Sequence, residues 1–387
     1  RQMCIRDRDH PDHHHPVCLL VYGMMPRFLL LLLLMSTASC NAGEYRTERI
    51  DWGEFSGRPV SLYTIVNPSG AILRMTDYGA KIVELHVPDR DGEFADVVLG
   101  FDNLEQYVAP SQSIGATIGR YTNRIRDGRF EIDGTFYELT KNEGPNTIHG
   151  GGEFENVVWG TSAVTTRHGE GLRFHYRSPD GSHGFPGNLD ATVTYVLTPD
   201  NAVHVTFEAE TDKATHVNFT QHSYFNLNGA VATIHNHVAS INASHYLVFD
   251  EVIATGEVDK LEGKAWDLRA PTRLGDNMDG IPLGGYHHDY VVDKPAGELA
   301  VVAEVKDPSS GRKLTVSTTQ PDVTFYAAMG LTDEIVGKYG ITYGPYMAFC
   351  LETQHPVDAA NHPHFPSTLL RPGEIYREVV IYDFGIE

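Results

Sequence analysis

Apolar residues along this chain alternate with polar ones far more often than they recur at intervals of three and four. Residues 129–132 and 135–139 set the pattern: two alternating runs flank Asp133-Gly134, the mark of a tight hairpin. Residues 191–197 and 202–209 around Thr198-Pro199-Asp200-Asn201 predict a second hairpin. Residues 299–305 and 313–318 around Pro308-Ser309-Ser310-Gly311 predict a third. Helical periodicity is confined to one short turn over residues 104–108. From residue 40 onward there is no linker, repeat or low-complexity tract. Dense short strands over so long a stretch predict an all-β chain, folded as one large sandwich or barrel across residues 40–387.

The pattern breaks at the start. Residues 28–35 are continuously apolar, follow Arg27, and run into Ser36-Thr37-Ala38-Ser39-Cys40. A charged start, a short apolar run and small residues before a cleavage point predict a signal peptide. A bilayer span needs ~20 apolar residues, so this run is too short to be one. Small residues ending at a Cys resemble a bacterial lipoprotein signal, with Cys40 the lipidated first residue of an exported, periplasmic protein. Residues 1–39 are thus read as a leader, and residues 1–23, with His13-His14-His15, as sequence upstream of a start at Met24 or Met25. Cys4 and Cys18 fall in that leader, which leaves Cys350 alone and no intramolecular disulfide.

Charge narrows the partners. Lys and Arg total 30 against 51 Asp and Glu, a net charge of −21 that repels phosphate backbones and excludes nucleic acid as a partner. A membrane would be met only through a lipid on Cys40. A small neutral ligand fits this balance, and the chain is expected to act as a monomer or dimer.

Polar residues gather in five segments beside apolar strand sequence. In 115–125, two glycines let backbone approach a ligand while Asn123 and Arg124 supply donors; a turn with a surface Arg is the plainer alternative. In 146–152, His149 precedes three glycines on a permissive loop. In 218–227, alternation puts Asn218, Thr220, His222, Tyr224 and Asn226 on one strand face, a combination that suits a cleft wall better than a solvent face. The fourth is Gly285-Tyr286-His287-His288-Asp289-Tyr290. In the fifth, Glu352 sits among Phe349, Cys350 and Leu351 before Gln354 and His355, so desolvation should raise its pKa and make it a better base. His235-x-His237, His287-His288 and His362-x-His364 offer metal ligands, but no Cys pair or H-E-x-x-H accompanies them.

These segments, in this order, resemble the aldose 1-epimerase (galactose mutarotase) family over about residues 57–382. The resemblance is carried by Gly119-Arg120-Tyr121, Asn123-Arg124-Ile125, residues 146–151, residues 221–227, Ala254-Thr255-Gly256-Glu257, Glu352-Thr353-Gln354-His355 and residues 366–374. It implies a large single-domain β-sandwich of the mutarotase supersandwich type. It implies an isomerase of free aldoses, with a monosaccharide as substrate and neither metal nor organic cofactor. By resemblance Glu352 falls on the catalytic base and His222 on the acid, while Asn123, Arg124, His149 and Tyr224 match sugar-lining positions. The mechanism implied pairs a carboxylate with an imidazolium, both titrating near neutrality.

Two positions depart from the family pattern. Where Gly-Tyr-Asp-His-Asn is usual, this chain has Gly-Tyr-His287-His288-Asp289, so His287 or Asp289 is expected to take the missing acid's hydroxyl contact. Thr324 stands where Gln is frequent. A hexose-6-phosphate epimerase would need more clustered cations than Arg120, Arg124 and Arg126. A non-catalytic sugar-binding lipoprotein would not need an acid–base pair.

Overall fold

The computed structural model describes residues 43–109, 112–250 and 252–387. The signal, the His13-His14-His15 tract and Cys40 lie outside the described residues. Residues 42–387 group together as one compact unit.

All three hairpins form as antiparallel pairs. Arg129–Ile132 pairs with Thr135–Glu138, Leu189–Leu197 with Ala202–Thr211, and Ala300–Lys306 with Arg312–Thr318. The short helix is Leu104–Val108, capped by the Asn103 side chain accepting from the Gln106 N–H at 3.1 Å. A second helix, Leu274–Asn277, escaped the sequence reading because its four residues, Leu-Gly-Asp-Asn, are too few to show a period.

Among the described residues the strands build one nine-stranded sheet and two of five strands, besides two-stranded pairs. The nine-stranded sheet is antiparallel, and the C-terminal strand Tyr376–Ile386 lies inside it, between Ala202–Thr211 and Arg312–Thr318. Alternation sends Ala191, Val193, Tyr195, Val205, Phe207, Val316 and Val380 to one face. There they share one core with Leu73 and Leu85 from the first five-stranded sheet and with Val323, Phe325 and Leu351 from the second. Face-to-face packing of sheets over a common apolar layer is a sandwich.

The second five-stranded sheet positions the chemistry. Its order is Ala254–Lys260, Ala243–Phe249, His287–Val292, Asp322–Tyr326, Cys350–Gln354. Its last two strands are buried on both faces, yet only one face is apolar. Val323, Phe325 and Leu351 enter the core, and Phe325 stacks on Phe349 with ring centroids 5.8 Å apart. Each such side chain contributes roughly 1.5–3 kcal/mol by leaving water. The opposite face carries Asp322, Thr324, Cys350, Glu352 and Gln354, all buried. The strong core face therefore holds a polar face out of water that would not stay there by itself.

Candidate active site

Glu352 and His222 reach the same point from different elements. Glu352 lies mid-strand in Cys350–Gln354, its partner across the ladder being Thr324. His222 ends the three-residue strand Thr220–His222, which pairs with Ala116–Ile118. His222 Nε2 and Glu352 Oε1 are 3.5 Å apart, and the residues are 5% and 3% exposed. Among the described residues, Glu352 Oε2 and His222 Nδ1 are buried with no hydrogen-bond partner. Tyr224 stacks on the His222 ring at 5.2 Å and donates its hydroxyl to the Gln112 carbonyl at 3.1 Å, which fixes the imidazole plane.

Burial decides the charge state of this pair. It pushes the Glu352 carboxyl up to about 8, only partly offset by the Arg124 guanidinium. It pushes the His222 imidazole down to about 4. The rise at Glu352 is the one anticipated from its apolar neighbours. Burial therefore favours the neutral imidazole at His222, against the imidazolium near neutrality that the resemblance implies.

His149 completes the centre. Its ring lies 5.3 Å from that of His222, near perpendicular. The Asn123 N–H donates to His149 Nδ1 at 3.2 Å, so the ring proton of the neutral form sits on Nε2. The His149 N–H in turn donates to the Asn123 carbonyl at 3.0 Å. The loop can turn this tightly because Gly150 follows, at φ +62, where a Cβ would stand 2.5 Å from the Gly119 carbonyl oxygen. Arg124 is clamped by Glu143, Nε and Nη2 each donating at 2.6 Å to a carboxylate oxygen.

These side chains line a cavity of about 420 Å³, and His287 and Tyr326 are on its wall. Of the positions singled out in the sequence, Asn123, Arg124, His149, His222, Tyr224, His287 and Glu352 all border it, and Asp289 does not. Asp289 is 1% exposed and accepts a hydrogen bond from the Thr324 hydroxyl, behind Glu352. Its carboxyl is pushed up to about 7, first by burial and then by Glu352, with the Thr324 hydrogen bond opposing. Of the two candidates for a hydroxyl contact, only His287 faces the cavity.

The polar face expected over residues 218–226 divides. His222 and Tyr224 reach the cavity; Asn218 and Asn226 do not. The Asn218 side chain exchanges hydrogen bonds with the His355 backbone at 3.0 and 3.3 Å. Asn226 donates to the carbonyls of Ala232 and Met347 at 2.8 and 2.7 Å. The regular strand is only three residues long, so strict alternation does not carry across the segment. Arg120 does not border the cavity: it is wholly buried, donating to the carbonyls of Ser178, Pro179, Pro186 and Gly187 at 2.8–3.1 Å. Arg126 turns away to Asp250 at 2.8 Å. The three arginines therefore make no phosphate-binding cluster.

Two features were missed. Thr324 bridges Glu352 and Asp289 across the ladder, and Asp322 faces Gln354 with both pairs of polar atoms buried and unpartnered. The sequence did carry a signal for Asp322, a charged residue two places before Thr324 in an apolar strand.

The His pairs weighed as metal ligands do not assemble; among the described residues the groups that converge are His149 with His222 and Glu352, and Glu84 with His86 and Asp96. The first trio could hold a divalent ion, its ligand atoms lying within 4.8 Å of one another. It equally suits two oxygens of one sugar carbon.

A family model described as aldose 1-epimerase matches residues 61–383. The chain belongs to the aldose 1-epimerase family. It is 43% identical over 312 residues to galactose mutarotase from Homo sapiens, covering 80% of this chain and 90% of that protein. It is 33% identical over 341 residues to aldose 1-epimerase from Escherichia coli strain K12, covering 86% and 97%. The crystal structure of galactose 1-epimerase from Lactobacillus acidophilus NCFM superposes with a TM-score of 0.78 at 25% identity, covering 89% of this chain and 99% of that one. These matches agree with the large β-sandwich described above.

Proposed function

We propose that this chain interconverts the α and β anomers of free aldoses by acid–base opening and closure of the pyranose ring. The observation that carries the reading is the buried His222–Glu352 pair, 3.5 Å apart. Mutarotation moves two protons at one carbon: O1 loses one and the ring oxygen gains one. The ring opens to the free aldehyde, C1 turns about the C1–C2 bond, and closure reverses both transfers. A pair holding one proton can give it to the ring oxygen and take another from O1, so it ends as it began.

The roles follow from the surroundings. Glu352 serves as base and His222 as acid when the shared proton sits on the imidazole. Arg124 favours that form, since its charge pulls Glu352 toward the carboxylate. His149 presents Nε2–H to a sugar oxygen as negative charge develops. Below about pH 4 the pair gains a second proton and lacks a base; above about pH 8 it loses its only proton and lacks an acid. The rate should therefore fall on both sides of that window.

Polarimetry on freshly dissolved α-D-glucose, α-D-galactose and α-L-arabinose tests the activity. A rate above spontaneous mutarotation is expected for at least one; none with any aldose would leave a sugar-binding protein as the better reading. Near wild-type rates in Glu352→Gln would refute the role given to that residue.

We also propose export with processing before Cys40, supported by the charged, apolar and small-residue order of residues 27–40. Intact-mass analysis of membrane-fraction protein should show acyl chains on Cys40. A soluble product with a free N-terminus would rule out the lipid and leave export standing.

A further inference from the structure

Two parallel rows of side chains cross the polar face of the second five-stranded sheet. The first holds the reacting carboxyl: Glu352 pairs with Thr324, and Thr324 with Asp289. One step along the same strands, Gln354 pairs with Asp322, and Asp322 with Val291. Residues 218–225 extend both rows on the Glu352 side. Phe225 pairs antiparallel with Phe349, and His222 meets Glu352. The same register sets Thr220 opposite Gln354, and it continues to Asn218, whose side chain bonds the His355 backbone.

The second row is sealed from water. Thr220, Gln354 and Asp322 are each 0% exposed, and none of them borders the cavity that His222 and Glu352 line. At the far end Val291 packs against Leu247, Ile253, Ala254 and Val357. Five polar atoms of the row have no hydrogen-bond partner among the described residues: Thr220 Oγ1, Gln354 Oε1 and Nε2, and both carboxylate oxygens of Asp322. Side chains directly opposite across an antiparallel ladder have Cβ atoms about 5 Å apart, so this amide and this carboxylate are within reach of each other. An N–H···O bond between them would satisfy both, and it does not form. Burial and the Asp289 carboxyl push Asp322 well above the ordinary carboxylate range, and no cationic side chain opposes them. A buried carboxylate is stable only when paired, protonated or bound to a metal ion.

The donors decide which ion fits. They are a carboxylate, an amide carbonyl and a hydroxyl, with no thiol or imidazole, and such hard oxygens suit alkali and alkaline-earth cations rather than zinc or copper. Oxygens gathered at about 2.4 Å around one ion stand too far apart to hydrogen-bond with each other, which is the arrangement of this row. A single carboxylate among neutral donors balances a single positive charge. The net charge of −21 raises the concentration of cations around the molecule.

We propose that Asp322, Gln354 and Thr220 form a buried binding site for a monovalent cation of the sodium or potassium class. The ion neutralises the Asp322 carboxylate and ties three neighbouring strand segments together through their side chains, with Gln354 contributing Oε1. The site is separate from the reacting pair and does not depend on the role given to His222 and Glu352.

The test reads stability and needs no sugar. Thermal unfolding is followed in NaCl, KCl and choline chloride at equal ionic strength, choline being too large for a site among three side chains. The wild-type midpoint should be about 3 °C higher in at least one alkali salt than in choline chloride. Asp322→Asn keeps the shape and removes the charge, so its midpoint should be the same in all three salts. Thr220→Val deletes one ligand oxygen at constant shape and serves if Asp322→Asn folds poorly. It should raise the salt concentration that gives half the effect about tenfold. Crystals soaked in thallium(I) should show anomalous density between Asp322 and Gln354. Equal wild-type midpoints in the three salts would overturn the proposal, as would a difference that both variants retain unchanged, or thallium absent from this row.

Discussion

The strands Asp322–Tyr326 and Cys350–Gln354 have two faces built from alternate residues of the same ten positions, and the faces behave as opposites. On one, Val323, Phe325 and Leu351 meet the core, and the Thr353 hydroxyl beside them is buried without a partner among the described residues. On the other, Asp322, Glu352 and Gln354 keep buried polar atoms without partners, and Asp289 and Glu352 are pushed to about 7 and about 8. The backbone ladder is common to both, so the difference lies wholly in the side chains. One face supplies stability, and the other is held in a destabilised protonation state by it. That tension is what makes a carboxyl group reactive near neutral pH.

The largest expected effect lies on the polar face. His222→Asn and Glu352→Gln should each lower kcat by roughly 10²–10⁴-fold with KM little changed, because each removes one of two proton transfers. The double variant should be little slower than the slower single, since the two act as a unit. Polarimetric kcat, corrected for the spontaneous rate, reads both. Additive losses would mean that the residues serve separate steps.

The apolar face should respond in the other currency. Phe325→Ala should cost roughly 3–5 kcal/mol of stability through the cavity it leaves. Denaturant unfolding measures the cost, and kcat per folded molecule should change far less than in His222→Asn. A comparable collapse of kcat would show that the two faces are not separable.

Glu352→Gln also tests whether the polar face is destabilising. Its carboxyl has a folded pKa of about 8 against an ordinary value of 4.5, so its contribution is fully present below about 4.5 and is lost as pH rises toward 8. Glutamine does not titrate. The stability difference between variant and wild type should therefore move in the variant's favour by on the order of 3 kcal/mol between pH 5 and pH 8. A gap that does not vary with pH would place Glu352 in a more solvated setting than the structure describes.

How much of this was legible differs between the faces in the same way. Hairpins with D-G or P-x-x-G turns declare themselves, because turn chemistry and alternation are local. So does the raised pKa of Glu352, since its apolar neighbours are adjacent in sequence. Asn218 and Asn226 looked like cleft residues because their partners, the backbones of His355 and Met347, are more than a hundred residues away. The buried setting of Arg120 was not legible for the same reason: its four carbonyl partners come from residues 178–187. The protonation state of His222 depends on burial supplied by several elements, which no local pattern reports.

The smallest effect expected is at Asp289, and it separates a carboxyl that touches sugar from one that acts through Glu352. Asp289 accepts from Thr324, does not line the cavity, and couples electrostatically to Glu352. Coupling between two acids is mutual: once Asp289 ionises above about pH 7, its charge opposes loss of the proton held by Glu352 and His222. Asp289→Asn removes that charge and can still accept the Thr324 hydrogen bond. The alkaline limb of the pH–rate profile, set near 8 in the wild type, should then move to lower pH by up to about one unit. At pH 6, where Asp289 is mostly protonated in the wild type, kcat should stay within about fivefold and KM should hardly change. A large KM increase at pH 6 with an unmoved alkaline limb would instead make Asp289 a sugar ligand, and His287 would lose its place as the residue that takes the missing acid's hydroxyl contact.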